Sequence, residues 1–269
     1  MESRVAVIGG GNMGYALGCS LVHKVLNKPE DLLIVERKGN RAEYILNALK
    51  CNVEQKINSR VREFGIIVVA VKPQEAEEAL HELKEYIFER HIVISIMAGV
   101  PISFISDKLG GHERIVRCMP NLPGQIGVGI TVYFGRYGFS AEDYVAVERV
   151  LSSMGAVLRV AEEDLIDGAT AISGTGPGYM FYIIDSMVSA AVDLGFSYRE
   201  AESMIAEFIK GSVELWLQSD LKPDTLLKMV ASEGGTTEAA LVVFNKHHLD
   251  EIIRDGIKAA YERAKKLIG

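Results

Sequence analysis

The stretch that decides the fold is Val5-Ala6-Val7-Ile8-Gly9-Gly10-Gly11-Asn12-Met13-Gly14. A short apolar run leads directly into the pattern G-x-G-x-x-G, which opens a segment of helical period. Gly9 permits a tight turn, Gly11 lets the backbone approach a pyrophosphate, and Gly14 lets the helix pack closely on the strand. The helix N-terminus adds free N–H groups and a partial positive charge. The stretch therefore predicts a strand–turn–helix unit that binds a dinucleotide.

Short apolar runs alternate with helical patterns through the first 160 residues or so. The predicted strands are residues 5–8, 32–35, 66–71, 92–96 and 115–117, with two edge strands at 130–134 and 156–160. The predicted helices between them are 14–26, 41–49, 73–86, 102–109 and 141–154. Continuous apolar strands suit a parallel sheet that is covered on both faces. This order predicts a doubly wound α/β domain of the Rossmann type.

The pattern changes after residue 161, where strand signals end. The expected helices are 165–194, with the pattern interrupted at Gly174-Thr175-Gly176-Pro177-Gly178, and then 198–217, 223–231, 236–245 and 249–268. We therefore expect a dinucleotide-binding domain over residues 1–161 and an all-helical domain over residues 162–269.

Composition excludes several classes of protein. The chain has 269 residues with a net charge of −7, which argues against a nucleic-acid partner. No apolar run reaches the roughly 20 residues that a bilayer requires. Cys19, Cys51 and Cys118 are too few and too scattered for a disulfide framework or a zinc site, and no metal motif is present. We expect a cytoplasmic, soluble protein without a metal.

Three residues at the end of the second predicted strand bear on the cofactor. Glu36 lies about 20 residues beyond Gly14, where an acidic group commonly binds the adenosine ribose. A carboxylate there favours NADH, because it repels the 2′-phosphate of NADPH. Arg37 and Lys38 favour the opposite choice, since they could pair with that phosphate or could simply be solvated. The choice stays open, and we expect NADPH or NADH to be used.

Later strand ends extend the same site, because ligands of open α/β sheets bind outside the carboxyl ends of the strands. Ala70-Val71-Lys72-Pro73 ends one strand, and Ala98-Gly99 follows the next, where the nicotinamide ring is expected. Met119-Pro120-Asn121 is a third loop of this kind. Lys72 either faces the cofactor or is a surface lysine.

The helical half lacks the general base that a hydroxyacid dehydrogenase needs. Residues 163–194 contain no lysine or histidine. This absence favours a substrate such as a protonated imine, which accepts hydride with little help from a base. Ser232-Glu233-Gly234-Gly235-Thr236-Thr237 fits that interpretation, because two glycines and two threonines at a helix start can bind a carboxylate. An ordinary threonine-capped helix is the alternative.

Together these motifs resemble the Δ1-pyrroline-5-carboxylate reductase family over essentially the whole chain. The most specific motifs are Ser173-Gly174-Thr175-Gly176-Pro177-Gly178-Tyr179 and residues 232–237. The resemblance implies reduction of a cyclic imine to L-proline, the final step of proline biosynthesis, with NADPH or NADH. It also implies a Rossmann domain followed by a helical dimerisation domain, and a homodimer that often assembles into a pentamer of dimers.

The resemblance also implies roles for individual residues. Thr170 would be catalytic, beside the imine nitrogen. Substrate contacts would come from Glu163, Ser232, Gly235, Thr236 and Thr237. The expected cofactor contacts are Gly9, Gly11, Asn12, Met13, Gly14, Glu36, Arg37, Asn58, Ala70, Val71, Lys72, Pro73, Ala98 and Gly99.

Three residues depart from the family pattern, namely Glu233, Met229 and Gly178. They leave the fold and the reaction intact but bear on substrate identity. Three alternatives therefore stay open: another cyclic imine acid as substrate, a related hydroxyacid dehydrogenase, and a non-catalytic nucleotide sensor.

Overall fold

The computed structural model describes residues 4–136 and 138–267. Its first part forms an eight-stranded sheet in the order β3-β2-β1-β4-β5-β6-β7-β8. The strands are β1 (Val5–Ile8), β2 (Leu32–Val35), β3 (Asn52–Glu54), β4 (Ile66–Val69), β5 (Ile92–Ser95), β6 (Ile115–Met119), β7 (Gly129–Gly135) and β8 (Gly155–Arg159).

The central strands are buried on both faces. Every residue of β1, β2, β4 and β5 is buried, and these strands run parallel. The helices of the sheet region are α1 (Asn12–Lys24), α2 (Gly39–Leu49), α3 (Ala76–Leu83), α4 (Ile102–Lys108) and α5 (Ala141–Leu151). One face of the sheet packs on α1, α2 and α5, and the other packs on α3 and α4. The predicted doubly wound α/β fold is confirmed.

Within the described residues, the antiparallel pair of the sheet joins β6 to β7. The chain reverses through a 3-10 turn at Leu122–Ile126, and the Asn121 side-chain oxygen accepts a hydrogen bond from the Ile130 N–H at 2.9 Å. Asn121, which we expected in a cofactor loop, therefore stabilises this reversal. The next strand, β8, runs parallel to β7.

The main difference from the predicted elements is β3. Asn52–Glu54 pairs with β2 although it has only three residues, of which two are polar, so its sequence carries no strand signal. The predicted helix over residues 73–86 is an α-helix only at Ala76–Leu83, with 3-10 turns at both ends.

The helical region contains α6 (Leu165–Ala169), a π-helical turn (Thr170–Gly174), α7 (Gly176–Asp193), α8 (Tyr198–Gln218), α9 (Pro223–Val230), α10 (Thr236–Lys246) and α11 (Leu249–Ala264). The predicted all-helical composition is confirmed. The last helix ends at Ala264, and Ile268, the predicted end, lies outside the described residues. No helix in the described ranges combines the length and apolar character needed to cross a membrane.

The chain divides into two compact units. One comprises residues 1–177 and 259–269, and the other comprises residues 178–258. The second unit has a small core of its own around Val188, Ala201 and Ile205. The boundary predicted between residues 161 and 162 differs from this division, and as a boundary between functional domains it stays a prediction.

Candidate active site

The glycine loop between β1 and α1 has the geometry that its sequence predicts. Gly9 has a φ of 107°, and a Cβ there would lie 2.8 Å from the Ala70 carbonyl oxygen. A Cβ on Gly14 would collide with the Gly9 carbonyl oxygen. By contrast, a Cβ on Gly11 would meet no atom within 4 Å, so the loop is open at the point where a phosphate has to approach. Gly11 is the N-cap residue of α1, and as a glycine it offers no side chain to cap the helix.

A cleft of about 460 Å³ lies beside this loop. Eight of its lining residues are among those expected from the sequence: Gly9, Gly11, Asn12, Glu36, Arg37, Ala70, Val71 and Lys72. Lys38, Asn40, Arg41, Ile57, Glu75, Ala79 and Glu82 also line it. The structure thus brings together the ends of β1, β2 and β4, at the edge where open α/β sheets bind their ligands. Cofactor contacts by these residues stay predictions.

Glu36 is bound into the wall of the cleft. One of its carboxylate oxygens accepts a hydrogen bond from the Gly10 N–H at 3.1 Å, and the other accepts one from the Lys38 N–H at 2.9 Å. A carboxylate oxygen has more than one acceptor position, so Glu36 can still bind a ribose hydroxyl. The geometry is therefore compatible with the role expected from its position in the sequence.

Arg37 forms ion pairs across the cleft. Its guanidinium lies 2.9 Å from a carboxylate oxygen of Glu78 and 3.8 Å from one of Glu75, and this pairing with Glu78 raises the Arg37 pKa. Arg41, which sequence reasoning missed, instead donates its Nε–H to the Gly10 carbonyl oxygen at 3.1 Å. No local signal in the sequence distinguishes these two arginines, because their partners lie on other elements.

The other expected cofactor residues lie outside the lining of the cleft. Asn58 caps a 3-10 turn, and its side-chain oxygen accepts a hydrogen bond from the Arg60 N–H at 2.9 Å. Pro73 begins the 3-10 turn after β4. Gly99 has a φ of 69°, and a Cβ there would lie 2.5 Å from the Ala264 carbonyl oxygen. Met13 and Gly14 belong to the first turn of α1, and Ala98 packs near Met119.

Glu163 belongs to a buried ionic cluster. Arg117 on β6 is only 2% exposed, and its guanidinium lies 3.3 Å from Glu163 and 2.5 Å from Asp167. The Glu163 carboxylate also accepts a hydrogen bond from the Ile102 N–H, at the start of α4, at 2.7 Å. These contacts join β6, α4 and α6, so Glu163 has a structural role that sequence reasoning did not foresee. Its expected contact with substrate stays a prediction.

Thr170 lies at the start of the π-helical turn between α6 and α7. Its hydroxyl donates a hydrogen bond to the Ile166 carbonyl oxygen at 2.8 Å. The Thr175 N–H and hydroxyl both donate to the Thr170 carbonyl oxygen, at 2.9 and 2.8 Å, which closes the wide turn. Turns of this kind occur frequently at functional sites. Because its proton is directed to Ile166, the Thr170 oxygen presents acceptor lone pairs to any other partner.

The turn before α10 lies in the unit formed by residues 178–258. Gly234 has a φ of 69°, and its N–H donates to the Glu238 carboxylate at 2.6 Å. The Gly235 N–H donates to the Ser232 carbonyl oxygen at 3.0 Å. The amides of Thr236 and Thr237 come next, in the first turn of a helix that has no side-chain cap. The predicted helix start is confirmed, while its role in carboxylate binding stays a prediction.

No group of three or more histidine, cysteine, aspartate or glutamate side chains in the described ranges has the geometry of a metal site. All three cysteines are free, and burial raises the pKa of Cys51 to about 11.

Comparison with known proteins identifies the family. A curated relative, the pyrroline-5-carboxylate reductase of Aquifex aeolicus, is 33% identical over 99% of this chain and 98% of its own length. The chain belongs to the pyrroline-5-carboxylate reductase family. The family model for pyrroline-5-carboxylate reductase dimerisation matches residues 163–267, and a model described as NADP oxidoreductase, coenzyme F420-dependent, matches residues 4–99.

Solved structures of this family share the fold. A pyrroline-5-carboxylate reductase from Coxiella burnetii is 29% identical, with a TM-score of 0.89 over 99% of each chain. A Plasmodium falciparum pyrroline carboxylate reductase with NADP bound is 30% identical, with a TM-score of 0.89 over 100% of each chain. The resemblance that the sequence motifs indicated is therefore confirmed.

Proposed function

We propose that this protein reduces Δ1-pyrroline-5-carboxylate to L-proline with NADPH or NADH, the final step of proline biosynthesis. The observation that carries the proposal is the open glycine-loop cleft in a chain related over nearly its full length to reductases of this name. The missing lysine or histidine in residues 163–194 supports imine reduction over hydroxyacid oxidation.

The residues of the cleft fit a dinucleotide. Gly11 leaves the loop open to a pyrophosphate, the start of α1 provides N–H donors, and Glu36 lines the cleft where it would bind the ribose. The reduced nicotinamide would supply the hydride that saturates the imine carbon. Lys72 lines the cleft and adds positive charge to it, whereas Ala98 and Gly99 would lie beside the nicotinamide.

Thr170 would orient the substrate nitrogen. Its hydroxyl donates to Ile166, so its oxygen is suited to accept a hydrogen bond from the N–H of the protonated imine. This refines the role expected from the resemblance: Thr170 acts as an acceptor that holds the iminium. The nitrogen of a protonated imine already carries the proton that the product amine requires, so no further general acid is needed at that atom.

The turn before α10 would hold the substrate carboxylate. The amides of Thr236 and Thr237 and the Thr237 hydroxyl would bind it at the start of the helix, where the partial positive charge favours an anion. Ser232 and Gly235 shape this turn through their backbone hydrogen bond. Such contacts bind the ground state and the transition state alike, so they mainly position the ring.

The protein would work as a homodimer formed by its helical region, with a pentamer of dimers as the larger assembly that the resemblance implies. Large apolar side chains of residues 178–258 support this: Leu194 is 81% exposed, Tyr182 is 76% exposed and Leu217 is 73% exposed in the single chain. Exposed apolar surface on this scale marks an interaction surface. Light scattering that gave the mass of a monomer would contradict the proposal. The cytoplasmic location expected from the cysteine content belongs to the same proposal.

The decisive experiment is an assay of the purified protein with Δ1-pyrroline-5-carboxylate and each reduced dinucleotide. We expect loss of nicotinamide absorbance together with formation of L-proline, resolved by chiral chromatography. A six-membered cyclic imine acid and a 2-oxo acid serve as competing substrates. Faster turnover of either one would contradict the proposed substrate and favour the corresponding alternative.

A further inference from the structure

Arg41 is held rigidly beside the glycine loop. It lies in the first turn of α2, and its Nε–H donates to the Gly10 carbonyl oxygen at 3.1 Å. Its guanidinium carbon lies 4.7 Å from the centre of the Tyr15 ring and 5.0 Å from the centre of the Tyr44 ring. The two rings are themselves in contact, with centres 5.5 Å apart. The guanidinium is therefore oriented by three neighbours, which lowers the entropy lost when it binds a ligand.

The terminal amino groups of Arg41 have no acidic partner in the described part of the chain. No carboxylate there lies within ion-pair distance of Arg41, whereas Arg37 is paired with Glu78 and Glu75. Glu36, Glu75 and Glu82 also line the cleft, and the Glu36 carboxylate accepts hydrogen bonds from the Gly10 and Lys38 N–H groups. Arg41 is thus the better candidate for an anionic ligand in this cleft.

The position of Arg41 relative to Glu36 indicates which anion it would meet. Glu36 accepts a hydrogen bond from the N–H of Gly10, and Arg41 donates one to the carbonyl of the same residue. The guanidinium and the carboxylate expected to bind the adenosine ribose are thus both bonded to the glycine loop, and both residues line the cleft. A 2′-phosphate on a ribose bound by Glu36 would enter the cleft that Arg41 also lines, and a planar guanidinium matches a phosphate with two parallel hydrogen bonds.

We propose that Arg41, and not Arg37, recognises the 2′-phosphate of NADPH, and that its charge offsets the repulsion from Glu36 so that both dinucleotides are accepted. This inference rests on the proposed function, because it deepens the cofactor assignment of the same cleft. Lys38 also lines the cleft, and its side-chain amino group forms no ion pair within the described ranges. It adds positive charge without the rigid orientation of Arg41.

The test measures binding of two adenosine probes to the full-length protein by isothermal titration calorimetry. The probes are adenosine 2′,5′-bisphosphate and 5′-AMP, which differ only in the 2′-phosphate. For Arg41→Leu we expect the Kd of the bisphosphate to rise by about tenfold or more, because hydrogen bonds to a charged group are lost. The Kd of 5′-AMP should change by less than about threefold, because 5′-AMP lacks the phosphate to which Arg41 would donate its hydrogen bonds. For Arg41→Lys, the Kd of the bisphosphate should lie between the values for Arg41→Leu and for the unaltered protein.

Two further variants sharpen the test. Arg62→Leu is the matched control, because Arg62 also stacks on two rings, Tyr86 and Phe88, and donates to a backbone carbonyl, yet does not line the cleft. It should leave both Kd values unchanged. Arg37→Leu tests the rival residue.

The outcomes separate this inference from the proposed function. If Arg37→Leu weakens bisphosphate binding and Arg41→Leu does not, the inference is overturned while the cofactor assignment stands. If Arg41→Leu weakens binding of both probes equally, the inference is also overturned. That result would indicate that Arg41 only stabilises the glycine loop. If the unaltered protein binds neither probe, the cofactor assignment itself fails, and the inference fails with it.

Discussion

Glu36 and Arg41 bind the two ends of the same glycine residue. The Glu36 carboxylate accepts a hydrogen bond from the Gly10 N–H at 3.1 Å, and the Arg41 Nε–H donates one to the Gly10 carbonyl oxygen at 3.1 Å. A carboxylate and a guanidinium, to which we assign opposite preferences for the 2′-phosphate, are thereby both attached to the glycine loop in the lining of the cleft. This relationship provides a physical basis for the proposed use of both dinucleotides.

Replacing Glu36 by serine should shift cofactor preference towards NADPH. The substitution removes a negative charge that repels the 2′-phosphate, while Arg41 remains. We expect the ratio of kcat/KM for NADPH to that for NADH to rise by about tenfold. Glu63→Ser is the control, because Glu63 pairs with Arg4 and does not line the cleft. An unchanged ratio in Glu36→Ser would show that Glu36 does not bind the adenosine ribose.

Replacing Thr170 by valine should chiefly lower kcat. Valine keeps the shape of the side chain but removes the oxygen proposed to hold the iminium N–H. Without that acceptor the imine carbon would be less well oriented towards the hydride donor, so we expect kcat to fall by about tenfold. Ser173→Ala is the matched control, since Ser173 donates to the carbonyl four residues earlier in the same turn. Unaltered kcat, with hydride transfer shown to limit the rate, would remove Thr170 from the mechanism.

Replacing Thr237 by alanine should chiefly raise the KM for the imine acid. The substitution removes a hydroxyl proposed to bind the carboxylate and leaves the backbone amides in place, so we expect a rise of about tenfold with little change in kcat. Thr225→Ala, in the first turn of α9, is the matched control. A fall in kcat without a change in KM would contradict the positioning role.

Replacing Asp167 by asparagine should destabilise the protein. Arg117 is 2% exposed and pairs with Asp167 and Glu163, so removing one of these charges leaves a buried guanidinium partly uncompensated. We expect the free energy of unfolding to fall by about 1.5–3 kcal/mol, measured by urea denaturation. Asp164→Asn, at an exposed neighbouring position, should be nearly neutral. Equal stability of the two variants would show that the cluster contributes nothing.

Stability should fall as the pH is lowered through about 6.5. Burial lowers the pKa of His91 and of His112, so the unfolded chain binds more protons than the folded chain below that pH. Protonation of His91 at Nδ1 would also break the hydrogen bond that it accepts from the Phe88 N–H at 2.9 Å. The two histidines therefore stabilise the fold above their ordinary pKa, and that contribution is lost on acidification.

His112→Gln provides the corresponding measurement by thermal unfolding. Glutamine can still donate to the His91 carbonyl oxygen, which His112 contacts at 3.0 Å, but it does not titrate. The difference in Tm between pH 7.5 and pH 5.5 should be smaller for His112→Gln than for the unaltered protein. Both pH values lie about one unit from the ordinary histidine pKa. His247→Gln, at an exposed position, should leave that difference unchanged. A pH dependence of His112→Gln equal to that of the unaltered protein would contradict the assignment.

Local sequence predicts the elements whose signal is contained in their own residues. The four-residue apolar strands and the glycine loop both have short-range causes. β3 was missed because Asn52–Glu54 becomes a strand only through its pairing with β2. The antiparallel direction of β7 could not be predicted from local sequence either, because it depends on how Asn121 and Gly129 pack where the chain reverses.

The sequence by itself determined the doubly wound sheet, the helical region that follows it and the position of the dinucleotide loop. These features follow from hydrophobic period and from glycine spacing, which act over a few residues. Only the tertiary structure decided that Arg37 pairs with Glu78 and that Arg41 donates a hydrogen bond to the Gly10 carbonyl oxygen. The same holds for the contacts of Glu163 with Arg117 and with the start of α4. The reason is physical: the partner of a charged side chain is chosen by distance and burial across different elements, and no local pattern encodes either.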